Sequence, residues 1–215
     1  MMRLGVGDVR SIVVLGAHCD DIAIGAGGSL LTICAGRPDL RVDALVLSGG
    51  GTDRESEERA ALESFCPGSD LHLTVLKLAD GRVPAQWDEA KSAVQELRER
   101  TDPDLVFAPH SADAHQDHRT LAELVPTAFR DHLVLGYEIV KWDGDLGSPS
   151  VYQQLPPELA EEKVALLQRS YRSQRHRPWY DREAFLGLAR IRGIECHARY
   201  AEAFYSTKLT IDLEG

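Results

Sequence analysis

Two short clusters in this chain carry residue types that can do hydrolytic chemistry. The first is His18-Cys19-Asp20-Asp21; the second is Asp113-Ala114-His115-Gln116-Asp117-His118. Imidazole and carboxylate are ligands for a divalent cation of the zinc kind. A catalytic zinc usually takes three protein ligands and leaves a position open for water. Adjacent residues in extended chain point in opposite directions, so Asp20 and Asp21 are expected to do different jobs. One would touch the metal and the other would face the reacting water. His115 and His118 are three apart at an expected helix start, which makes them neighbours on one face. One could bind metal while the other reaches over a substrate. Asp117 could orient a histidine by accepting its second N–H. The residue types alone leave the division of labour open. A single His beside a strand end is ordinarily a solvated loop residue, and a single Asp at a strand–helix junction is ordinarily an N-cap. Two such clusters meeting are a different matter, because converging His and carboxylate groups mark a site.

The elements that would bring them together are legible in the pattern. Each cluster follows an apolar run, Ile12-Val13-Val14-Leu15 in one case and Leu105-Val106-Phe107-Ala108 in the other. Strands are expected over 11–15, 42–47, 71–78, 105–108 and 133–140, with a closing strand or extended tail over 201–209. Helices are expected over 23–35, 54–65, 87–100, 118–130, 158–169 and 181–194. Thr52 and Asp53 are both suitable N-caps for the second helix. Segment 142–150 reads as a long polar loop. Alternation of this kind predicts a single α/β domain over residues 1–215, Rossmann-like, with a mostly parallel sheet covered by helices on both faces. In such sheets ligands bind outside the carboxyl ends of the strands, which is where both clusters fall.

Composition narrows the partners. The formal net charge is -10 and no dense Lys/Arg stretch offers a phosphate footprint, which argues against nucleic acid and against an anionic membrane surface. No run approaches the length of a transmembrane helix. No secretory leader is legible either, so the expected compartment is the cytoplasm. The four cysteines, Cys19, Cys34, Cys66 and Cys196, form no Cys-x-x-Cys pair. Cys34, Cys66 and Cys196 read as reduced and structural. The glycines of Gly25-Ala26-Gly27-Gly28 follow a strand but lack the third glycine of a dinucleotide-binding turn, since that position is Leu30. They are read instead as close helix-to-sheet packing. No Gly-x-Ser-x-Gly elbow presents a nucleophilic serine.

At these residues the chain resembles the LmbE-like family of zinc-dependent de-N-acetylases, which includes the N-acetylglucosaminyl-phosphatidylinositol deacetylases. The family motif Ala-His-Pro-Asp-Asp-Glu with a following Gly-x-Gly-Gly stands here as Ala17-His18-Cys19-Asp20-Asp21-Ile22 and Gly25-Ala26-Gly27-Gly28. The second motif, Pro-His and then Asp-x-His-x-Asp-His, is complete from Pro109-His110 to Asp113–His118. Weaker echoes are Arg54-x-x-Glu57-x-x-x-Ala61, Asp80-Gly81, Ser173-Gln174 and Ala201-Glu202-Ala203-Phe204. The resemblance implies His18, Asp21 and His118 as ligands of zinc, with ferrous iron as the alternative metal. It implies Asp20 as general base on the activated water. It implies His115 as the group that stabilises the oxyanion or protonates the leaving amine, with Asp117 supporting it. The implied substrate is a small N-acylated molecule containing an amino sugar, and a homo-oligomer is a compatible state.

Two positions depart from the family pattern. Cys19 replaces proline and frees φ at the turn; Ile22 replaces glutamate and removes a carboxylate at the rim. Neither is an implied ligand or base. Arg54, His110 and Trp142 are candidate substrate-binding residues, against plain readings as a surface arginine at a helix start or a tryptophan covering the core. Competing readings keep the metal and change the substrate to a non-sugar N-acyl intermediate, or keep the fold as a noncatalytic binding module.

Overall fold

The computed structural model describes residues 5 and 7–210. The first half of the chain alternates β1 (Ser11–Gly16), α1 (Asp21–Cys34), β2 (Arg41–Ser48), α2 (Asp53–Phe65), β3 (Asp70–Leu78) and α3 (Trp87–Glu99). The second half runs β4 (Leu105–Pro109), α4 (Gln116–Ala128), β5 (Val134–Tyr137), β6 (Val151–Leu155), α5 (Pro157–Ser170), α6 (Arg182–Glu195) and β7 (Tyr200–Tyr205). One seven-stranded sheet results, in the order β3-β2-β1-β4-β5-β7-β6. The five strands from β3 to β5 are parallel, and β7 runs antiparallel to both of its neighbours. The chain winds outward from β1 to β3 on one side and from β4 to β5 on the other. The reversal point therefore lies between β1 and β4, where α/β sheets open a crevice.

The central strand shows why the sheet is buried on both faces. Along β1, Ile12 and Val14 belong to the core beneath α1, α2 and α5, with Leu30, Leu62 and Val164. Val13 and Leu15 belong to the core beneath α3 and α4, with Val94, Leu97, Leu121 and Val125. A strand apolar on every residue is what two covering layers demand.

The expected elements are present, with four adjustments. α1 starts at Asp21, two residues early, and α4 at Gln116, because the site residues themselves form the first turns. The strand expected over 133–140 keeps only Val134–Tyr137, since Glu138 leaves the sheet to pair with Arg192. β6 was not legible: in Val151–Leu155 only Leu155 is buried, so no alternation shows. The closing strand ends at Tyr205, short of 209. Thr52 is the N-cap of α2 and accepts from the Arg54 N–H at 3.2 Å.

The glycine run is a packing device. A Cβ on Gly25 would overlap the Tyr137 ring, one on Gly27 would lie 2.7 Å from Phe65 Cε1, and one on Gly28 would lie 2.6 Å from Leu155 Cδ1. The Tyr137 ring held against Gly25 donates its hydroxyl to Leu15 O at 2.6 Å, one residue before the site turn. Helix propensity alone says that Gly25→Ala should stabilise α1 by about 1 kcal/mol. Overpacking of about 1–3 kcal/mol opposes it. Because the added Cβ would overlap the Tyr137 ring, the cost falls at the upper end of that range, and we expect Gly25→Ala to lose about 2 kcal/mol net and to lower Tm by roughly 4–8 °C. An unchanged or raised Tm would show that helix and sheet are not in contact here.

Candidate metal centre

The turn after β1 is strained in a way that frees its carboxylates. Asp20 has φ 107° and ψ -25°; His197 is the other non-glycine residue with positive φ among the described residues. Such a conformation costs about 1–3 kcal/mol and persists only where the surroundings hold it. Here the Asp20 N–H donates to Glu58 Oε2 at 2.8 Å, and Ile24 N donates to Asp20 O at 2.9 Å. Asp20 occupies the N-cap position of α1, yet its side chain makes no capping bond. The carboxylate instead meets Arg54 Nη2 at 3.2 Å, and the same guanidinium donates to Cys19 O. Asp21 points the other way. Its Oδ2 accepts from Ala17 N at 3.0 Å and His18 N at 2.8 Å. Asp20 and Asp21 thus serve different neighbours, but the cause is the positive φ of Asp20 followed directly by the first turn of α1, not the alternation of extended chain.

Three acceptor atoms from the two clusters converge. His18 Nδ1 lies 3.0 Å from His118 Nε2 and 3.5 Å from Asp21 Oδ2; His118 Nε2 lies 3.3 Å from Asp21 Oδ2. The outer nitrogens assign the tautomers. His118 Nδ1 lies 2.9 Å from Asp113 Oδ2, and His18 Nε2 lies 3.1 Å from both Asp117 Oδ2 and Asp80 Oδ1. Each ring donates its outer N–H to a carboxylate, so each turns a lone pair inward. Two lone pairs and a carboxylate oxygen cannot hydrogen-bond one another; they call for a cation. A tetrahedral zinc with bonds of about 2.0–2.2 Å has ligand–ligand edges of about 3.3–3.6 Å. The donor set and its edges fit that ion.

Protons take up the same demand where no cation is bound. Burial opposes ionisation of His118, but Asp21 and the hydrogen bonds to Asp113 and Asp21 overcome it and raise the ring to about 9. His18 is likewise raised against burial, by Asp21, Asp117 and Asp80. Burial would raise Asp21, but His118 and His18 hold it well below the usual carboxylate range. Two other donor groups lie within 4.8 Å: His18 with His115 and His118, and His18 with Asp80 and Asp117. The second pairs a donor N–H with carboxylates and is already satisfied by hydrogen bonds. In the inward set of His18, Asp21 and His118 only Asp21 Oδ2 has hydrogen-bond donors, the N–H groups of Ala17 and His18, while the two ring nitrogens face each other as acceptors, which makes it the better cation site.

The remaining expected residues fall at different depths. His115 is half-buried beside both other rings, with centroids 4.7 Å from His18 and 4.8 Å from His118. Its Nδ1 caps α4 by accepting from Asp117 N at 3.3 Å, which leaves an Nε2–H to donate. Burial, reinforced by His118 and His18, lowers its pKa, so the ring is neutral. Asp117 was expected to support His115. Its carboxylate instead accepts from Gly81 N at 2.7 Å and Val83 N at 3.1 Å and faces His18, because α4 turns it inward. Only its backbone N–H serves His115. Arg54 lies against Asp20, and its Nε is buried without a partner among the described residues. His110 is buried and stacked on Tyr205 at 4.6 Å, behind the site. Trp142 is 66% exposed and covers no core. The Cys19 thiol turns to Ser48 O at 3.4 Å, away from the convergent atoms, and burial raises its pKa.

Four residues were not singled out as site residues from the sequence. Asp113 was visible inside the second motif, and Asp80 in the Asp80-Gly81 echo. Glu58 sits one residue after the Arg54-x-x-Glu57 echo, and Lys141 had no signal. Glu57 itself accepts from Ser173 N at 3.0 Å and Ser173 Oγ at 2.6 Å, so two of the echoes are one tie between α2 and the turn after α5.

The fold and the site define a class: a Rossmann-like sheet that gathers His and Asp side chains at its reversal point. The family model for GlcNAc-PI de-N-acetylases (PIG-L) matches residues 13–129, more than half the chain and both clusters. The chain belongs to that family. An uncharacterized deacetylase of Escherichia coli K12, YaiS, is 29% identical over 173 residues, which cover 74% of this chain and 90% of the relative. Among solved structures, an N,N'-diacetylchitobiose deacetylase of Pyrococcus horikoshii aligns with TM-score 0.71 and 20% identity over 93% of this chain and 84% of its own. A 4-carboxy-2-hydroxymuconate hydratase, GalB, of Pseudomonas putida KT2440 aligns with TM-score 0.74 and 18% identity over 95% and 99%.

Glu58 gives the turn a pH signature. Its carboxyl is fully buried, accepts from Asp20 N and from the Tyr171 hydroxyl at 2.7 Å, and is pushed by burial up to about 8. Between the ordinary value near 4.5 and about 8 the folded chain keeps a proton that the unfolded chain has released. The contribution of Glu58 is therefore complete below pH 4.5 and is lost as pH rises toward 8, at about 1.4 kcal/mol per pH unit. Glutamine keeps both acceptor contacts without that proton. In metal-free protein, the stability of Glu58→Gln relative to wild type should climb steadily from pH 5 to 8. A difference that does not change with pH would contradict the buried acid.

Proposed function

We propose that this chain is a metal-dependent N-deacetylase that hydrolyses the N-acetyl group of an amino sugar or of a glycoconjugate carrying one. The observation that carries the reading is the triangle of His18 Nδ1, Asp21 Oδ2 and His118 Nε2, with edges of 3.0–3.5 Å. Family membership supports the amide as the bond broken, and the chitobiose deacetylase among the structural relatives supports a sugar-bearing substrate. His18, Asp21 and His118 would hold zinc, or ferrous iron. When bound, such an ion acidifies water and polarises an acyl carbonyl.

The chain's own residues do the rest. Asp20 is the general base. Burial pushes its carboxyl up to about 7 against the pull of Arg54, a value suited to taking a proton near neutral pH. His115 is neutral, with its Nε2–H available as a hydrogen-bond donor to the developing oxyanion, and the proton that Asp20 takes from water is the one passed to the leaving amine. Asp113, Asp117 and Asp80 fix the tautomers and aim of the ligand rings. Arg54 orients Asp20 through its Nη2 at 3.2 Å. No helix among the described residues is long and apolar enough to cross a membrane. We read residues 1–215 as one domain acting on a dissolved small molecule in the cytoplasm.

The test is amine release from N-acetylglucosamine derivatives by zinc-loaded protein, with metal content measured in parallel. Asp20→Asn should keep its zinc and lose about 10²-fold or more in kcat. His118→Ala should lose the metal itself. Full turnover in Asp20→Asn would remove the base assignment, and unchanged zinc in His118→Ala would remove the ligand assignment.

A further inference from the structure

The segment after β5 reaches back to the second cluster through a lysine that no motif announced. Lys141 Nζ lies 3.1 Å from Asp113 Oδ1 and 2.5 Å from Asp145 Oδ2, and it donates to Ile139 O at 3.5 Å. Its side chain is 7% exposed, and those of Asp113 and Asp145 are 0% and 9%. A charge so buried is retained only where its partners are fixed. Asp113 is the carboxylate that receives the outer N–H of His118. Its other oxygen is held by Lys141 and by His115 N at 2.7 Å. Asp145 Oδ2 accepts from Ala114 N at 2.7 Å, so the lysine pair also ties down the turn between Asp113 and His115.

We propose that Lys141, seated by Asp145, is a positioning residue for the metal-facing nitrogen of His118. The inference rests on the metal reading of the site. Without Lys141, one backbone N–H alone holds Asp113 Oδ1, and the carboxylate can pivot away from His118 Nδ1. The His118 ring then loses the partner that fixes its tautomer, and its Nε2 lone pair is no longer committed to the ligand position. The same release loosens the turn whose last residue, His115, caps α4. Outer partners of metal-bound histidines contribute on this scale, typically 10–100-fold in affinity or activity. The segment carrying Lys141 is pinned at its far end as well, by Gly147 N on the Tyr205 hydroxyl and Arg192 on Gly147 O, both at 3.1 Å. It is therefore a built brace.

The experiment is zinc titration against a chromophoric chelator, with the visible spectrum of the cobalt-substituted protein as a second readout. The variants are Lys141→Met and Asp145→Asn. Lys163→Met is the control: it breaks another buried pair, with Glu202 at 2.6 Å, on a different part of the sheet. Lys141→Met should weaken zinc binding about 10-fold or more and alter the cobalt spectrum, while Lys163→Met lowers Tm and leaves both readouts as in wild type. Asp145→Asn should shift them in the same direction by less, and it carries the test if Lys141→Met does not fold. Wild-type affinity and an unchanged cobalt spectrum in the folded Lys141 and Asp145 variants would overturn the inference while leaving the metal site standing. Wild-type protein that takes up no zinc would remove both.

Discussion

Two imidazole lone pairs and a carboxylate oxygen are buried within 3.5 Å of one another, and none can donate to the others. That arrangement is unfavourable unless positive charge sits among them, whether protons or a metal. Much of the surrounding structure exists to keep it from relaxing. Carboxylates on the outer face of each ring fix the tautomers, and backbone N–H groups of Ala17 and His18 hold Asp21 in line. The positive φ of Asp20 separates the two neighbouring carboxylates and is held by Glu58 from α2. The centre is preorganised, and the strain at Asp20 is part of the cost.

The fold supplies this constraint through one adjacency. β1 and β4 are neighbours in register, Ile12 beside Leu105 and Val14 beside Phe107, and each ends in a cluster. Because the chain winds away on both sides of that pair, no crossover helix covers its carboxyl end. The glycines of α1 let the helix approach Tyr137 and Phe65 closely enough for Asp21 to start it directly at the site. The fold is shared with proteins of different chemistry, the GalB hydratase among them, so the sheet alone says little about reaction type. What narrows it is the identity of the side chains at the strand ends.

Most of that was legible in the chain. The parallel sheet followed from apolar runs such as Ile12–Leu15 with no polar face, and the site from His and Asp residues placed just past two of them. Legibility stopped where contacts are made across long separations. Glu58 reads as one more acid on a charged helix, and only packing buries it. Lys141 reads as a loop cation, and only the return of its segment to Asp113 gives it partners. The strand Val151–Leu155 has no alternation because it is an edge strand with one buried residue. Asp117 was recognised as the orienting carboxylate of a histidine; which histidine it faces depends on the entry angle of α4, and no local pattern encodes that.

Metal binding by the converging acceptors is tested most directly by elemental analysis of protein purified without added metal, beside the His18→Ala variant. About one zinc or iron per chain is expected in the wild type, and none in the variant. A wild-type chain that carries no metal, and takes up none when zinc is added, would contradict it.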